Sequence, residues 1–541
     1  MRMQAKIRTK SGPVEIRENM VDQIIRYFDP LRGQARFRSR LLMAWTGGYT
    51  AGSVSRRQTK LWSTVTRDAD ADILPDLKTL RDRSRDLIRN NPIATGAMLT
   101  KKLNVVGSGF KLNSQIDRDI VNMSDDQAEA WEAKTEREWR LFWESKECDI
   151  ARTLTGQDIT RMAYSQALEN GDVFIILPRQ KLAFFPYDLR LQVIEADRVC
   201  NDNNAGDTLK LAGGVEKDDN GAPVAYHIMT AHPGSIASDV KRWTWITVPA
   251  FASKTGLRNV IHLYAPIRPG QTRGVPDLAP IMEPLKQLDR YTEAELMAAV
   301  VAGMFTVFIE TDTGGINLDL SGIEDDTGTT VAEDYALGNG AIVGLAKGEK
   351  INVANPGRPN AVFDAFTQAI LRQVGVALGL PFEILIKNFT ASYSASQAAI
   401  LEALKYYISE RQWLIANFIQ PIYEIWMYEA VAKGRIAAPG FFTDALIRQA
   451  YLGAEWIGPA RGMIDETKEV EAAGKRLELG LTTRAEETAR LTGGDWEKKH
   501  VQSVKEHNKR KEDGLEQAAP KAAAIIAPPP PPEPPPQEGE G

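Results

Sequence analysis

Residues 259–304 read NVIHLYAPIRPGQTRGVPDLAPIMEPLKQLDRYTEAELMAAVVAGM, and the architecture turns on how this stretch divides. Val260–Tyr264 alternates and predicts a strand. Pro266, Pro269, Gly270 and Gly274 then interrupt regular structure, and Pro276 stands where a helix can begin. Beyond it Leu278, Ile281, Met282, Leu285, Leu288, Leu296 and Val300 recur at three- and four-residue steps, an apolar stripe on one helical face. Pro280 and Pro284 fall in the opening turns, where a missing N–H costs least. The pattern predicts a rod roughly 40 Å long at about 1.5 Å per residue. Ala298, Ala299, Ala302 and Gly303 allow a neighbour to approach its far end. This is a strut, not a catalytic loop.

Bulk properties narrow the function classes. The chain has 541 residues, room for roughly three or four domains. Cys148 and Cys200 are too few for a disulfide framework or a CxxC metal site, which points to synthesis in a reducing cytoplasm. The basic N-terminus lacks the apolar segment of a signal peptide, and no run reaches the length of a membrane span. A net charge of -5 argues against tight gripping of nucleic acid over the whole surface, without excluding DNA as a transient partner.

Residues 1–75 are basic, with Arg32, Arg36, Arg38, Arg40, Arg56, Arg57 and Lys60 beside Trp45, Tyr49 and Trp62. They read either as an arm touching nucleic acid or an acidic partner, or as a solubilising tail. Asp68, Asp70 and Asp72 have the spacing of calcium-loop ligands, but Ile73 and Thr79 replace the required Gly and Glu, so a solvated acidic turn is expected. Helical periodicity follows through Leu77, Leu80 and Leu87, and again through Trp131, Trp139, Leu141, Phe142 and Trp143, which read as core. Short strands are predicted at 173–177, 191–194, 224–229 and 243–248. After the strut come strands at 304–309, 341–343 and 350–353, then a second apolar stripe of Phe363, Phe366, Ile370, Val374 and Leu378, ended by Gly379 and Leu380-Pro381. A long helix carries Leu401, Ile408, Ile415 and Ile422 at seven-residue steps, with Leu404, Phe418 and Ile425 beside them and a kink expected at Pro421.

No active site is legible. The chain lacks a phosphate-binding GxxxxGK[ST] loop, and Gly107-Ser108-Gly109 reads as a turn. The S-x-x-K at Ser238 and K-T-G at Lys254 stand too close together, without S-D-N, to form an acyl-serine site. His227, His232, His262, His500 and His507 show no metal-ligand spacing. We expect no enzyme, no cofactor and no metal.

Three separated stretches carry a family resemblance. RPGQTRGVP at 268–276 with its following helix, RDRSRDLIRNNPIATGAMLTKKLNVVGSGFKLN at 81–113 and ILRQVGVALGLPFEILIKNFTASYSASQAA at 370–399 are similar, in the same order, to the portal (head–tail connector) proteins of lambda-type tailed bacteriophages. The resemblance spans roughly residues 74–496. It implies an α+β portal fold: a mixed wing at 76–275, stem helices at 276–303 and 360–380, and a small β-containing clip at 304–359 that includes Asp325 and Asp326. It also implies a channel loop at 381–396, a long kinked wing helix at 397–435, a helical crown at 436–510 and a disordered Pro-rich tail at 511–541. Lys387, Asn388, Phe389, Thr390, Ser392, Tyr393 and Ser394 would form the channel loop. Glu283, Lys286, Asp289, Arg290 and Glu293 would lie on the first stem helix, facing either the lumen or solvent and one another. Asp277, Asn388, Gln397, Arg461-Gly462 and Asp465-Glu466 depart from the family pattern.

The function implied is a dodecameric ring at one capsid vertex, assembled in the host bacterial cytoplasm and retained in the virion. Double-stranded DNA would pass through it without sequence specificity. Its partners would be further copies of itself, the terminase large subunit, the major capsid and scaffold proteins and a head–tail adaptor, with no membrane. The alternatives are another ring-forming adaptor protein or a hydrolase with an illegible site.

Overall fold

The strand expected at Val260–Tyr264 forms with those bounds and pairs antiparallel with Asp172–Ile176, which pairs in turn with Gln192–Ile194. Val173, Phe174, Ile175, Val260, Ile261 and Leu263 are buried, so this small sheet is covered on both faces. A four-stranded antiparallel sheet runs in the order Leu211–Ala212, Val215–Lys217, Pro223–Met229, Trp245–Pro249. The computed structural model describes residues 4–9, 12–45, 61–62, 64–236, 244–303, 307–311, 349–353, 362–389, 392–460, 462 and 465–515. Asp325, Asp326, Thr390, the strand expected at 341–343, Arg56, Arg57, Lys60 and the Pro-rich segment lie outside them.

The chain divides into two units, Met1–Asp68 and Ala69–Gly541. In the larger one the aromatic residues of the Asp125–Trp143 helix form the core, as their spacing predicts. Trp139 stacks on Trp143 at 4.8 Å between centroids and meets Trp426 edge-on at 5.2 Å. Leu141 is the exception: it points away from the Trp139 face and is exposed.

The first strut is shorter than expected. A 3-10 turn at Ala279–Ile281 takes up Pro280, and the α-helix proper is Met282–Gly303, about 33 Å at about 1.5 Å per residue. The second strut is Phe363–Leu378, ended by Gly379 at φ +68 with Leu380 N–H donating to the Gly375 carbonyl at 2.9 Å. Tyr291 holds the two helices together, 5.4 Å from the ring of Phe363 and 5.2 Å from that of Phe366. Between them the described residues include one ribbon, Val307–Thr311 antiparallel to Glu349–Val353.

The long helix begins at Tyr393, four residues before the expected start, because the Ser392 side chain accepts from Ala395 N–H and caps it. It runs to Leu414, passes through a π-helical turn at Ile415–Ile419 and resumes as Gln420–Ala432. Pro421 is the cause, since it has no N–H to return to the preceding turn. The seven-residue apolar row is therefore divided: Leu401 and Ile408 are exposed, whereas Ile422 is buried, as are Phe418 and Ile425 of the row beside it.

The turn at 268–276 is what joins strut to sheet. Asp172, at the start of the central strand, is fully buried. One carboxylate oxygen accepts from Arg81 Nη2 at 2.7 Å and Arg273 Nη2 at 3.2 Å. The other takes Arg273 Nε at 2.6 Å, Gly274 N–H at 3.1 Å and, at 3.2 Å, His262 Nε2. Arg273 also donates to the carbonyls of Val199 and Ala196 and lies over the Phe174 ring at 4.9 Å. Gly171 and Gly274 cross backbone to backbone: a Cβ on Gly274 would sit 1.9 Å from the Gly171 oxygen. Gln271 accepts from the N–H groups of Ile267 and Arg268 and donates to the Arg273 carbonyl, closing the turn on itself.

The acidic segment before it is corrected by the structure. Asp70 and Asp72 are not a solvated turn but stand in the first turn of the Ala69–Asn90 helix. Asp70 accepts from Thr272 N–H at 2.7 Å and Lys217 Nζ at 3.1 Å, and Asp72 pairs with Arg268. Every polar position from Arg268 to Arg273 is thus engaged.

Burial alone would raise the Asp172 carboxyl, but Arg273 and Arg81 outweigh it and hold the group well below the usual carboxylate range. Burial lowers the His262 imidazole against the pull of Asp172, so the ring is neutral near pH 7. Replacing Arg273 by Met leaves a buried carboxylate short of its main partner, and denaturant unfolding should show a loss of ~3–5 kcal/mol; a loss below about 1 kcal/mol would contradict the latch. The two pKa shifts act in one direction with pH. Asp172, depressed on folding, contributes stability present above its unfolded value near 4 and lost as pH falls through its lower folded value. His262, also depressed, costs stability below about 6.5, where the unfolded ring binds a proton that the folded one refuses. The melting temperature should decline between about pH 7 and pH 5. His262→Gln should flatten that limb, and parallel declines in both proteins would refute the assignment.

Candidate functional site

The strut pair and the turn that follows it form the candidate site. Leu278, Ile281, Met282, Leu285 and Leu288 bury the first half of strut one in its own subunit. The second half is bare: Leu296, Met297 and Val300 are exposed, and on strut two so are Phe366 and Val376. The predicted stripe therefore holds over its first half and leaves the core over its second. On strut two Val374 and Leu378 of the predicted stripe are buried, and Leu371 is buried in place of Phe366.

Glu283, Lys286, Arg290 and Glu293 repeat at three- and four-residue steps and make one exposed stripe along strut one. None of the four has an ion-pair partner among the described residues. Two acids and two bases leave the stripe locally neutral. Asp289 stands apart from it, half-buried, and accepts from Asn91 Nδ2 at 2.6 Å. The same Asn91 caps the Pro92–Val105 helix by accepting from Ala94 N–H. Asp289 thus ties strut one to the N-terminal signature segment.

The turn after strut two is tighter than the expected loop 381–396. Phe382–Leu385 makes a single helical turn, Asn388 N–H donates to the Glu383 carbonyl at 3.0 Å, and Lys387 adopts φ +55, a conformation uncommon outside glycine. Lys387, Asn388 and Phe389 are exposed. Ser392 and Ser394 approach at 3.2 Å between hydroxyls. Tyr393 and Ser394 belong to the long helix, not to the loop.

A buried polar cluster joins the two ends of the site. Lys101 is sequestered from water and donates to Asp277 Oδ2 at 2.7 Å and to the Tyr406 hydroxyl at 2.8 Å. One turn further along the long helix Tyr164 donates to Glu410 at 3.2 Å, and burial pushes the Glu410 carboxyl up against the opposing field of Lys101. Asp277 opens strut one and Tyr406 sits on the helix that leaves the channel-loop segment, so one ammonium connects both. The departure at Asp277 has a partner: Lys101.

Among the described residues no group of three or more His, Cys, Asp or Glu side chains could hold a metal ion, and no helix is long and apolar enough to cross a membrane. His227 and His262 lie in strands, and His500 and His507 on the Trp496–Glu512 helix. Cys148 is buried, which pushes its thiol up to about 12. Lys254 to Gly256 is an exposed turn.

Residues 55–411 match the lambda family of phage portal proteins. The chain is 27% identical over 501 residues to portal protein B of Escherichia phage lambda, covering 88% of this chain and 92% of that one. It is 27% identical over 497 residues to the portal protein of Escherichia phage N15, with the same coverage, and 24% identical over 469 residues to the probable portal protein of Halomonas phage phiHAP-1, covering 84% and 82%. Among solved structures, a chain of the virion of a native gene transfer agent particle aligns at 12% identity and a TM-score of 0.40, over 81% of this chain and 98% of that one. A chain from the neck of the empty particle gives 0.41 over the same shares. The match of well over half its length shows that this chain belongs to the lambda family of phage portal proteins.

Proposed function

We propose that the chain assembles into a ring, by family analogy a dodecamer, at one vertex of a phage head. DNA enters through it during packaging and leaves through it on ejection. The observation that carries this reading is the strut pair. Strut one is clamped at its base by the buried Asp172 network, yet Leu296, Met297 and Val300 on its second half and Phe366 and Val376 on strut two are apolar and exposed. A lone subunit leaves that surface in water, and a ring of copies covers it by setting one face of each subunit against a different face of the next. Energy for DNA movement comes from a partner, the terminase large subunit, since no phosphate-binding motor loop is present. The head–tail adaptor, capsid and scaffold proteins are the further partners.

The exposed stripe of strut one suits a conduit. Its equal numbers of acids and bases add little net attraction for phosphates, and each phosphate neutralised would strengthen binding and slow passage. Lys387 and Asn388, on the exposed turn, are the groups proposed to touch DNA transiently, with Phe389 beside them.

Light scattering and negative-stain imaging of the purified protein should reveal rings with a central hole; a monomer at every concentration would refute the reading. Leu296→Asp and Val376→Asp, both at positions exposed in the single chain, should leave the subunit folded while reducing ring yield about tenfold or more by burying an unpaired charge at the contact. Leu285→Asp should unfold the subunit itself, because Leu285 lies in its own core. If all three variants form rings normally, the strut assignment is wrong. Lys387→Gly keeps the positive φ and removes the charge. Rings should form unaltered, and DNA retention should lose about one unit of salt slope for each phosphate contact removed. Identical packaging and retention would refute the channel role of this turn.

A further inference from the structure

The first helix of the N-terminal unit buries a charge and exposes its apolar face. The unit's strands Gln4–Thr9 and Gly12–Arg17 pair as a hairpin, followed by helices Met20–Phe28 and Pro30–Trp45. The two helices meet where Gly33 lies against Arg26, so closely that a Cβ on Gly33 would be 2.5 Å from that of Arg26. The side chain buried on the first helix is Asp22, which accepts from Arg36 at 3.1 Å and closes a reciprocal cap with Asn19. Glu18, also buried, pairs with Arg26 at 3.2 Å. The opposite face carries Met20, Ile24, Tyr27 and Phe28 at helical spacing, with Leu31 just beyond, and all five are exposed, Phe28 by 81%. On this helix the buried side chain is polar and the large apolar groups face out, while the second helix buries Phe37.

An apolar stripe at steps of four, three and one is the pattern by which a helix seats in a partner's groove. The charge of the unit says which partner. Residues 1–68 contain fourteen Lys and Arg against five Asp and Glu, whereas residues 69–541 contain 52 against 66. Two such arms repel each other, and an arm and a body attract. Phosphates would satisfy the basic residues but offer nothing to Tyr27, Phe28 and Leu31. We infer that the outward face of Met20–Phe28 docks on the acidic body of a neighbouring copy of this chain, so that each arm straps two subunits of the ring together. This rests on the ring proposed above and adds the surface and its polarity.

The test uses full-length protein with p-benzoylphenylalanine at Tyr27, assembled from an equal mixture of chains labelled with light and heavy nitrogen, irradiated and mapped by mass spectrometry. Cross-links should join position 27 of one label to residues 69–515 of the other. Cross-links confined to chains of one label, or joining one arm to another, or absent from imaged rings, overturn the inference while leaving the ring intact. If no ring forms, the proposed function fails as well. In a second measurement, Ile24→Ser, Tyr27→Ser and Phe28→Ser are combined, exposed positions whose exchange spares the Asp22 pairs. The concentration at which rings dissociate should rise about tenfold. An unchanged dissociation curve, or binding of the arm to phosphatidylserine vesicles that only the unsubstituted protein shows while ring stability is equal, overturns it.

Discussion

A carboxylate sealed from water and held by two guanidiniums is the joint on which the molecule is built. Asp172 binds Arg81 from the first signature helix, Arg273 and the Gly274 amide from the turn, and His262 from the neighbouring strand. Four distant segments therefore share one charge. Apolar residues of equal volume could bury as much surface, and buried ion pairs are not a general source of stability. What the carboxylate adds is direction: its donors are satisfied in one arrangement only, and that arrangement aims the chain into the strut. The crossing of Gly171 and Gly274 tightens the constraint, since no side chain fits at that approach.

Lys101 extends the same logic by one layer. Its ammonium lies between the first residues of strut one and the helix that follows the exposed turn at Lys387. Tyr406 receives it as a hydrogen-bond acceptor and, at 4.8 Å from the ring centroid, through its π face. Displacement at one end of this helix is therefore resisted through a contact with the base of the strut. For the channel role proposed above, a stiff link from turn to strut is what the chemistry of these three residues provides.

The legible part of the fold was the part controlled by local periodicity. Strands at Val260–Tyr264 and Pro223–Met229, the tryptophans of the Asp125–Trp143 helix and the ends of strut two follow from alternation, helical spacing and Gly–Pro punctuation. Asp70, Asp72 and Asp277 were opaque because their partners, Thr272, Arg268 and Lys101, are remote in sequence and no spacing rule links them. Ser392 was readable in principle, as a serine before YSASQAAILEAL, but the polar run around it resembles a loop. The first N-terminal helix escaped because its buried side chain is the charged Asp22, inverting the pattern by which buried faces are recognised. In the candidate site, the positions of the strut charges on the helix were recoverable, while the capture of Asp289 by Asn91 was not.

The π-helical turn at Ile415–Ile419 has a geometric result of its own. One additional residue in that turn rotates everything beyond it by about 100° relative to a continuous α-helix. Before the turn, the row through Leu401 and Ile408 looks outward; after it, its continuation at Ile422 is buried in the core. One uninterrupted heptad thus serves two different surfaces, and the length of the segment is fixed as firmly as its composition. A lineage that lost a single residue here would keep a helix whose two halves no longer agreed on which way was in.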